Sequence, residues 1–158
     1  MVGTKQNTSL SFRCSRGSAA VAEVALSDLF VKVGCTYQEV RLNNHLNRQL
    51  TTTTDGTRRI LTSDVYIPRM YYAVQEPSEK YILVFAWVDF EGSGYTAVHN
   101  AATVTWLHSM LRERTHVQQQ DMDGTNEYYS RRFGYLLFDF GDAALYPPDS
   151  ERSLLGAT

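Results

Sequence analysis

The sequence predicts an α+β fold: a single domain whose antiparallel or mixed sheet, with a central strand near residues 80–90, is covered by helices near 18–33 and 97–112. Three observations lead there. The run at 80–90 places Tyr81, Leu83, Phe85 and Trp87 on one face and Ile82, Val84, Ala86, Val88 and Phe90 on the other, so both faces are apolar. The polar turn Gln75-Glu76-Pro77-Ser78-Glu79 ties it to a preceding aromatic and β-branched run, as in a long hairpin. Two other stretches carry their apolar residues at helical period. A chain of 158 residues, 43% hydrophobic and 20% charged, has the material for one core without staples.

Residues 1–17 form a polar N-terminal segment in which Leu10 and Phe12 alternate with Ser9, Ser11 and Arg13, describing either a loose tail or a short edge strand. The globular domain is expected over 18–142. Val21, Val24, Ala25, Leu29 and Val33 recur at helical spacing, with Ser18 as N-cap and Gly34 in the left-handed position that ends a helix. Leu42, Leu46 and Leu50 share one side of a second helix over about 38–50, weakened by Asn43, Asn44 and Asn47, whose side chains compete for backbone hydrogen bonds. Thr51 to Thr54 ends that helix, and Asp55-Gly56 turns the chain. Extended runs at 59–63 and 65–74 follow, interrupted by Pro68, which cannot donate to a sheet ladder and so marks an edge or a bulge. After the central strand, Glu91-Gly92-Ser93-Gly94 breaks the chain, and Thr96 caps the helix near 97–112, with Arg112 and Arg114 toward its negative end. Residues 128–140 return to strand alternation, and 143–158, with Pro147-Pro148, read as a C-terminal tail. The order of helix, hairpin and long helix is similar to that of actin-depolymerising-factor homology domains. Gly94-Tyr95-Thr96-Ala97-Val98 stands where that family has a basic, methionine-containing helix start, so the likeness stops at element order.

Composition narrows the function classes. A net charge of -2 removes the broad phosphate attraction of a basic domain. Cys14 and Cys35 match no metal or redox spacing. No apolar run is long enough to span a bilayer and no signal-peptide core follows Met1, so an intracellular, cytoplasmic location is expected. His45, His99, His108 and His116 are not three or four apart, as helix-borne ligands are, and Asp121-Met122-Asp123-Gly124 lacks the first and last ligands of a calcium loop. No metal or cofactor is therefore expected. Gly92, Ser93 and Gly94 precede a helix without the lysine of a phosphate loop or the third glycine of a dinucleotide fingerprint, leaving them as a candidate contact for a small anion.

What remains is surface chemistry. Arg58, Arg59, Tyr71, Tyr72, Tyr128, Tyr129, Arg131 and Arg132 are of the types that combine apolar area with directional donors at protein interfaces. With no nucleophile elbow in view, the leading expectation is a non-enzymatic interaction or assembly domain that binds a protein partner or associates with itself. Two alternatives stand beside it. Arg58, Arg59, Arg131 and Arg132 would suit a nucleic-acid-associated or coat-like protein. Asp89 and Glu91, joined by Asp139 if its strand lies alongside, would suit a small enzyme with an acidic site at a strand end.

Overall fold

The computed structural model describes residues 4–6, 9–14, 29–87, 92–120 and 126–146, with side chains from residue 29 on. The first elements in chain order are β1 (Thr4–Gln6), β2 (Ser9–Cys14), β3 (Leu29–Cys35), α1 (Tyr37–Gln49) and β4 (Thr51–Thr52). There follow β5 (Arg58–Thr62), β6 (Val65–Pro68), β7 (Met70–Gln75), β8 (Tyr81–Ala86) and β9 (Thr96–Ala97). The last are α2 (Ala101–Thr115), β10 (Val117–Gln118), β11 (Glu127–Ser130), β12 (Gly134–Leu137) and β13 (Ala144–Leu145). The expected class holds: among the described residues, two helices pack against mixed and antiparallel sheets.

One sheet runs β1-β2-β3-β8-β7 and is antiparallel throughout. The other runs β4-β5-β6-β12-β11-β9, its β6–β12 pair parallel and the rest antiparallel. A small ladder joins β10 to β13. The expected hairpin is β7–β8, and β8 is paired on both edges, with Leu83 and Ala86 buried. Pro68 ends β6, in keeping with its missing donor.

Helix α1 sits between two apolar clusters. Leu42, Leu46 and Leu50 join Leu61, Val65 and Ile67 of the mixed sheet and Leu107 and Leu111 of α2, while Val40 packs with Cys35, Met70 and Leu83 of the first sheet. Each of the fully buried leucines contributes about 1.5–3 kcal/mol of burial, which outweighs the weak propensity of the asparagines between them.

Four expectations need correction. Of the helix near 18–33, residues 18–28 lie outside the described residues, and 29–33 belong to strand β3. Leu29, Phe30, Val31 and Val33 are β-branched or large, and pairing with β2 and β8 on both edges outweighs their helical spacing. Gly34 does have a positive φ of 75°, but it serves the bulge between Lys32 and Cys35 rather than a helix end. The helix near 97–112 starts later, because Asn100 rather than Thr96 accepts the first-turn amide (Thr103 N–H to Oδ1, 3.0 Å), and it runs on to Thr115. The single strand at 128–140 is a hairpin turning at Arg131–Phe133, with Gly134 at φ 87°. The segment expected as a tail from 143 contributes Ala143 and Leu145 to the core.

Candidate functional site

Lys32 lies on β3 with 3% of its surface exposed, facing the first turn of α1. The bulge at Gly34 and the Thr36 cap turn the chain from strand to helix within a few residues. The cap is real: the Thr36 hydroxyl accepts the Glu39 amide at 3.3 Å. Glu39, buried to 3%, then accepts the Lys32 ammonium on Oε1 at 2.6 Å. A second carboxylate arrives from far along the chain, with Asp139 Oδ1 lying 2.9 Å from the same Nζ. Asp139 has φ 65°, a left-handed conformation costly for a residue with a Cβ, and such strain concentrates at functional sites.

The surroundings hold that carboxylate in place. The Gly141 amide donates to Asp139 Oδ1 at 3.3 Å, and the side-chain amide of buried Gln119 donates to the Asp139 carbonyl at 2.7 Å. One residue earlier, the Phe138 amide donates to the Asn126 carbonyl at 3.2 Å. Asn126 is itself fixed from behind, since its amide donates to Glu127 Oε2 at 3.2 Å while Glu127 Oε1 bonds His108 of α2.

Burial disfavours the Lys32 charge, but Glu39 and then Asp139 outweigh it and hold the ammonium above the usual lysine range. Burial also pushes the Glu39 carboxyl up, against the pull of Lys32. The two directions conflict over the charge state of Glu39, and the 2.6 Å contact decides for an ion pair at neutral pH. Burial, then Glu39, pushes the neighbouring Cys35 thiol up to about 12, so it is no nucleophile. Lys32, Glu39 and Asp139 line a pocket with an apolar wall that includes Phe30, Ile67, Phe85 and Ala86. Convergent charged groups beside an apolar slot are the usual make-up of a small-molecule site.

The surface candidates are distributed differently. Arg58 stacks over Tyr66 and Phe133, at 5.1 and 4.6 Å, and Arg132 lies over the same Phe133 ring at 4.9 Å, so these two arginines share one aromatic ring. Arg59 is no surface residue: it is 1% exposed and bonded inside the fold. Tyr71 lies under Arg69, Tyr72 is exposed, Tyr128 stacks on Phe138, Tyr129 packs on Tyr135, and Arg131 is exposed in the hairpin turn. In the glycine segment, the Ser93 carbonyl accepts the Ser130 hydroxyl at 2.7 Å, Gly94 has φ 68°, and Gly92 is exposed. Asp89 and Glu91 lie outside the described residues.

No family profile matches the chain, and no curated protein does. Solved structures do match, among them the kinase PK-1 of the Cydia pomonella granulovirus, with TM-score 0.53 and 11% identity over 92% of this chain and 54% of that one. The chain spans about half the length of that kinase, and the likeness is one of fold.

The expectation of a non-enzymatic interaction or assembly domain is overturned by this likeness, and the coat-like alternative falls with it. The chain has a fold that a kinase uses. The residues missed are Lys32, Glu39, Gln119 and Asn126. Lys32 and Glu39 stand in the sequence as two polar residues seven apart, and Gln119 and Asn126 flank the Asp121-Met122-Asp123-Gly124 segment with its partial likeness to a calcium loop.

Proposed function

We propose that this chain binds a magnesium–nucleoside triphosphate and transfers its terminal phosphoryl group to a hydroxyl acceptor. The observation that carries the reading is the Lys32 ammonium between the Glu39 and Asp139 carboxylates at the pocket wall. In protein kinases a strand lysine paired with a helix glutamate holds the phosphates, and the Asp of an Asp-Phe-Gly triplet binds the metal. A loop Asp there takes the acceptor's proton, and an Asn five positions on binds a second metal ion. Here Lys32 is on a strand, Glu39 on the following helix, Asp139 opens Asp-Phe-Gly, and in the sequence Asp121, which lies outside the described residues, precedes Asn126 by five. The kinase fold of the structural neighbour supports the same reading.

Two departures shape the details. Gln119 and Gln120 precede Asp121 where protein kinases have His-Arg, and no Gly-x-Gly-x-x-Gly precedes Lys32. Phosphate binding would then depend on Lys32 and the metal more than on a glycine loop. The donor set fits magnesium, because the Asp139 carboxylate and the Asn126 amide oxygen are hard ligands. Magnesium, when bound, neutralises charge on the β- and γ-phosphates.

The chain's own residues do the rest. Lys32, kept protonated by its two carboxylates, binds and orients phosphate oxygens, and Glu39 keeps the ammonium from swinging away. Asp121 accepts the acceptor's hydroxyl proton as its oxygen bonds to the terminal phosphorus, and the bond from that phosphorus to the nucleoside diphosphate breaks.

The test uses the purified chain, Mg2+ and ATP labelled in its terminal phosphate, with protein and small alcohols as acceptors. Lys32→Met should weaken ATP binding roughly tenfold or more, and Asp139→Asn should abolish transfer. Absence of magnesium-dependent ATP binding by the unaltered chain would sink the proposal.

A further inference from the structure

We propose that Arg59 is a positioning residue for the Lys32–Glu39 pair, its guanidinium tying α1 to the mixed sheet at the depth where Glu39 meets Lys32. The role of that pair rests on the phosphoryl-transfer reading; the tie itself does not.

Arg59 projects from β5 and is 1% exposed. Its Nη1 donates to the Asn43 carbonyl and to Asn47 Oδ1, both at 2.9 Å. Its Nη2 donates to Asn43 Oδ1 at 3.1 Å and to the Pro68 carbonyl, at the end of β6, at 2.7 Å. All four acceptors are neutral, and among the described residues no carboxylate forms an ion pair with it. Burial, and then the charge of Arg69, push the guanidinium down to about 9.

An apolar residue would fill this place without burying a charge. What the planar fork adds is direction, since four bonds in one plane fix two successive turns of α1 against the sheet. The chain of contacts leads straight to the pair. Asn43, held by the fork, donates its side-chain amide to the Glu39 carbonyl one turn back at 3.0 Å, and the carboxylate of Glu39 takes Lys32. Asn47 donates in turn to the Met70 carbonyl of β7 at 3.0 Å. Two of the three asparagines that weaken α1 as a helix, Asn43 and Asn47, are therefore groups by which it is docked.

The experiment reads Lys32 directly. In the full chain, acylation of Lys32 by an N-hydroxysuccinimide ester is followed by mass spectrometry against exposed Lys80, alongside binding of a fluorescent ATP analogue with Mg2+. Arg59→Met should raise Lys32 acylation and weaken analogue binding, each roughly tenfold. Arg59→Lys should restore neither, because an ammonium cannot make the four-bond fork. In a Glu39→Gln background, Arg59→Met should change Lys32 acylation little, because the tie acts through Glu39. An equal rise in both backgrounds, or Lys32 as protected in Arg59→Met as in the unaltered chain, would overturn the proposal. Should Arg59→Met fail to fold, Asn47→Ala, which removes one acceptor, must give a smaller change in the same direction. If the unaltered chain binds no ATP analogue, the phosphoryl-transfer reading fails while the Lys32 acylation series still decides on Arg59.

Discussion

Around Lys32 the available space is as specific as the charge. A methyl group at Gly141 would stand 3.3 Å from Lys32 Nζ, 3.4 Å from Asp139 Oδ1 and 3.6 Å from Glu39 Oε2, so the cluster must give by a few tenths of an ångström. Gly141→Ala should therefore cost stability only about 1–3 kcal/mol, as overpacking does, but loosen the ammonium and weaken Mg–ATP binding disproportionately. Thermal melts beside a nucleotide titration separate the two effects, and equal losses in both would count against a tight three-residue site. His45, which joins α1 to the end of α2 by donating Nε2–H to the Thr115 carbonyl at 2.7 Å, carries a pH dependence. Burial pushes its imidazole below the ordinary range, with Arg48 and His116 adding to the effect and the Thr115 bond opposing it. The folded state resists protonation of His45 more than the unfolded chain does, which takes up its proton near pH 6.5. Stability contributed by this group is thus present above about pH 6.5 and falls as pH drops below it, by up to about 1.4 kcal/mol per pH unit. Denaturant titrations from pH 7.5 to 5.5 should show a steeper decline for the unaltered chain than for His45→Gln.

Among the elements, helices with a one-sided leucine stripe were legible and the strand that carries the key lysine was not. Leu42, Leu46 and Leu50 announce α1 because a four-residue interval has one physical explanation, a shared helix face. Residues 29–33 fit helical and extended spacing alike, and only partners on both edges of β3 decide between them. With β3 misread as a helix, Lys32 and Glu39 appear as two polar residues seven apart. Strand, bulge and capped helix are what bring them to 2.6 Å. Asp139 was legible as an acid near a strand end, but its meeting with Lys32 across 107 positions depends on tertiary pairing that no local pattern encodes. The β11–β12 hairpin, which leads the chain toward Asp139, turns on Gly134. That residue has φ 87°, and an added Cβ would collide with the Asp64 carbonyl, whose oxygen already accepts the Tyr135 amide at 2.7 Å. Gly134→Ala should cost about 1–3 kcal/mol in denaturant unfolding. A neutral result would mean that the hairpin can turn elsewhere.

Taken whole, the molecule places its pocket where its two sheets and α1 come together. Phe30 and Phe85 come from the first sheet, Glu39 from α1, Ile67 from the mixed sheet, and Asp139 from the segment that follows β12. A ligand seated there touches groups on both sides of α1, where the two apolar clusters meet, so its binding should stabilise the fold as one unit. Linkage sets the size of the effect: at a ligand concentration of about 100 times Kd, a ligand that binds only the folded state adds about 2.7 kcal/mol. For a domain of this length, each kcal/mol shifts Tm by about 2–4 °C. Mg–ATP at that ratio should therefore raise Tm by about 5–10 °C, and magnesium or the nucleotide alone should raise it much less. Lys32→Met, with binding weakened roughly tenfold or more, should cut the shift to about half or less at the same nucleotide concentration, whereas Tyr72→Ala, at an exposed position on β7 away from the pocket, should keep it. A rise in Tm undiminished by Lys32→Met would place the nucleotide elsewhere on the protein, and no rise for the unaltered chain would remove the basis for assigning this pocket to phosphoryl transfer.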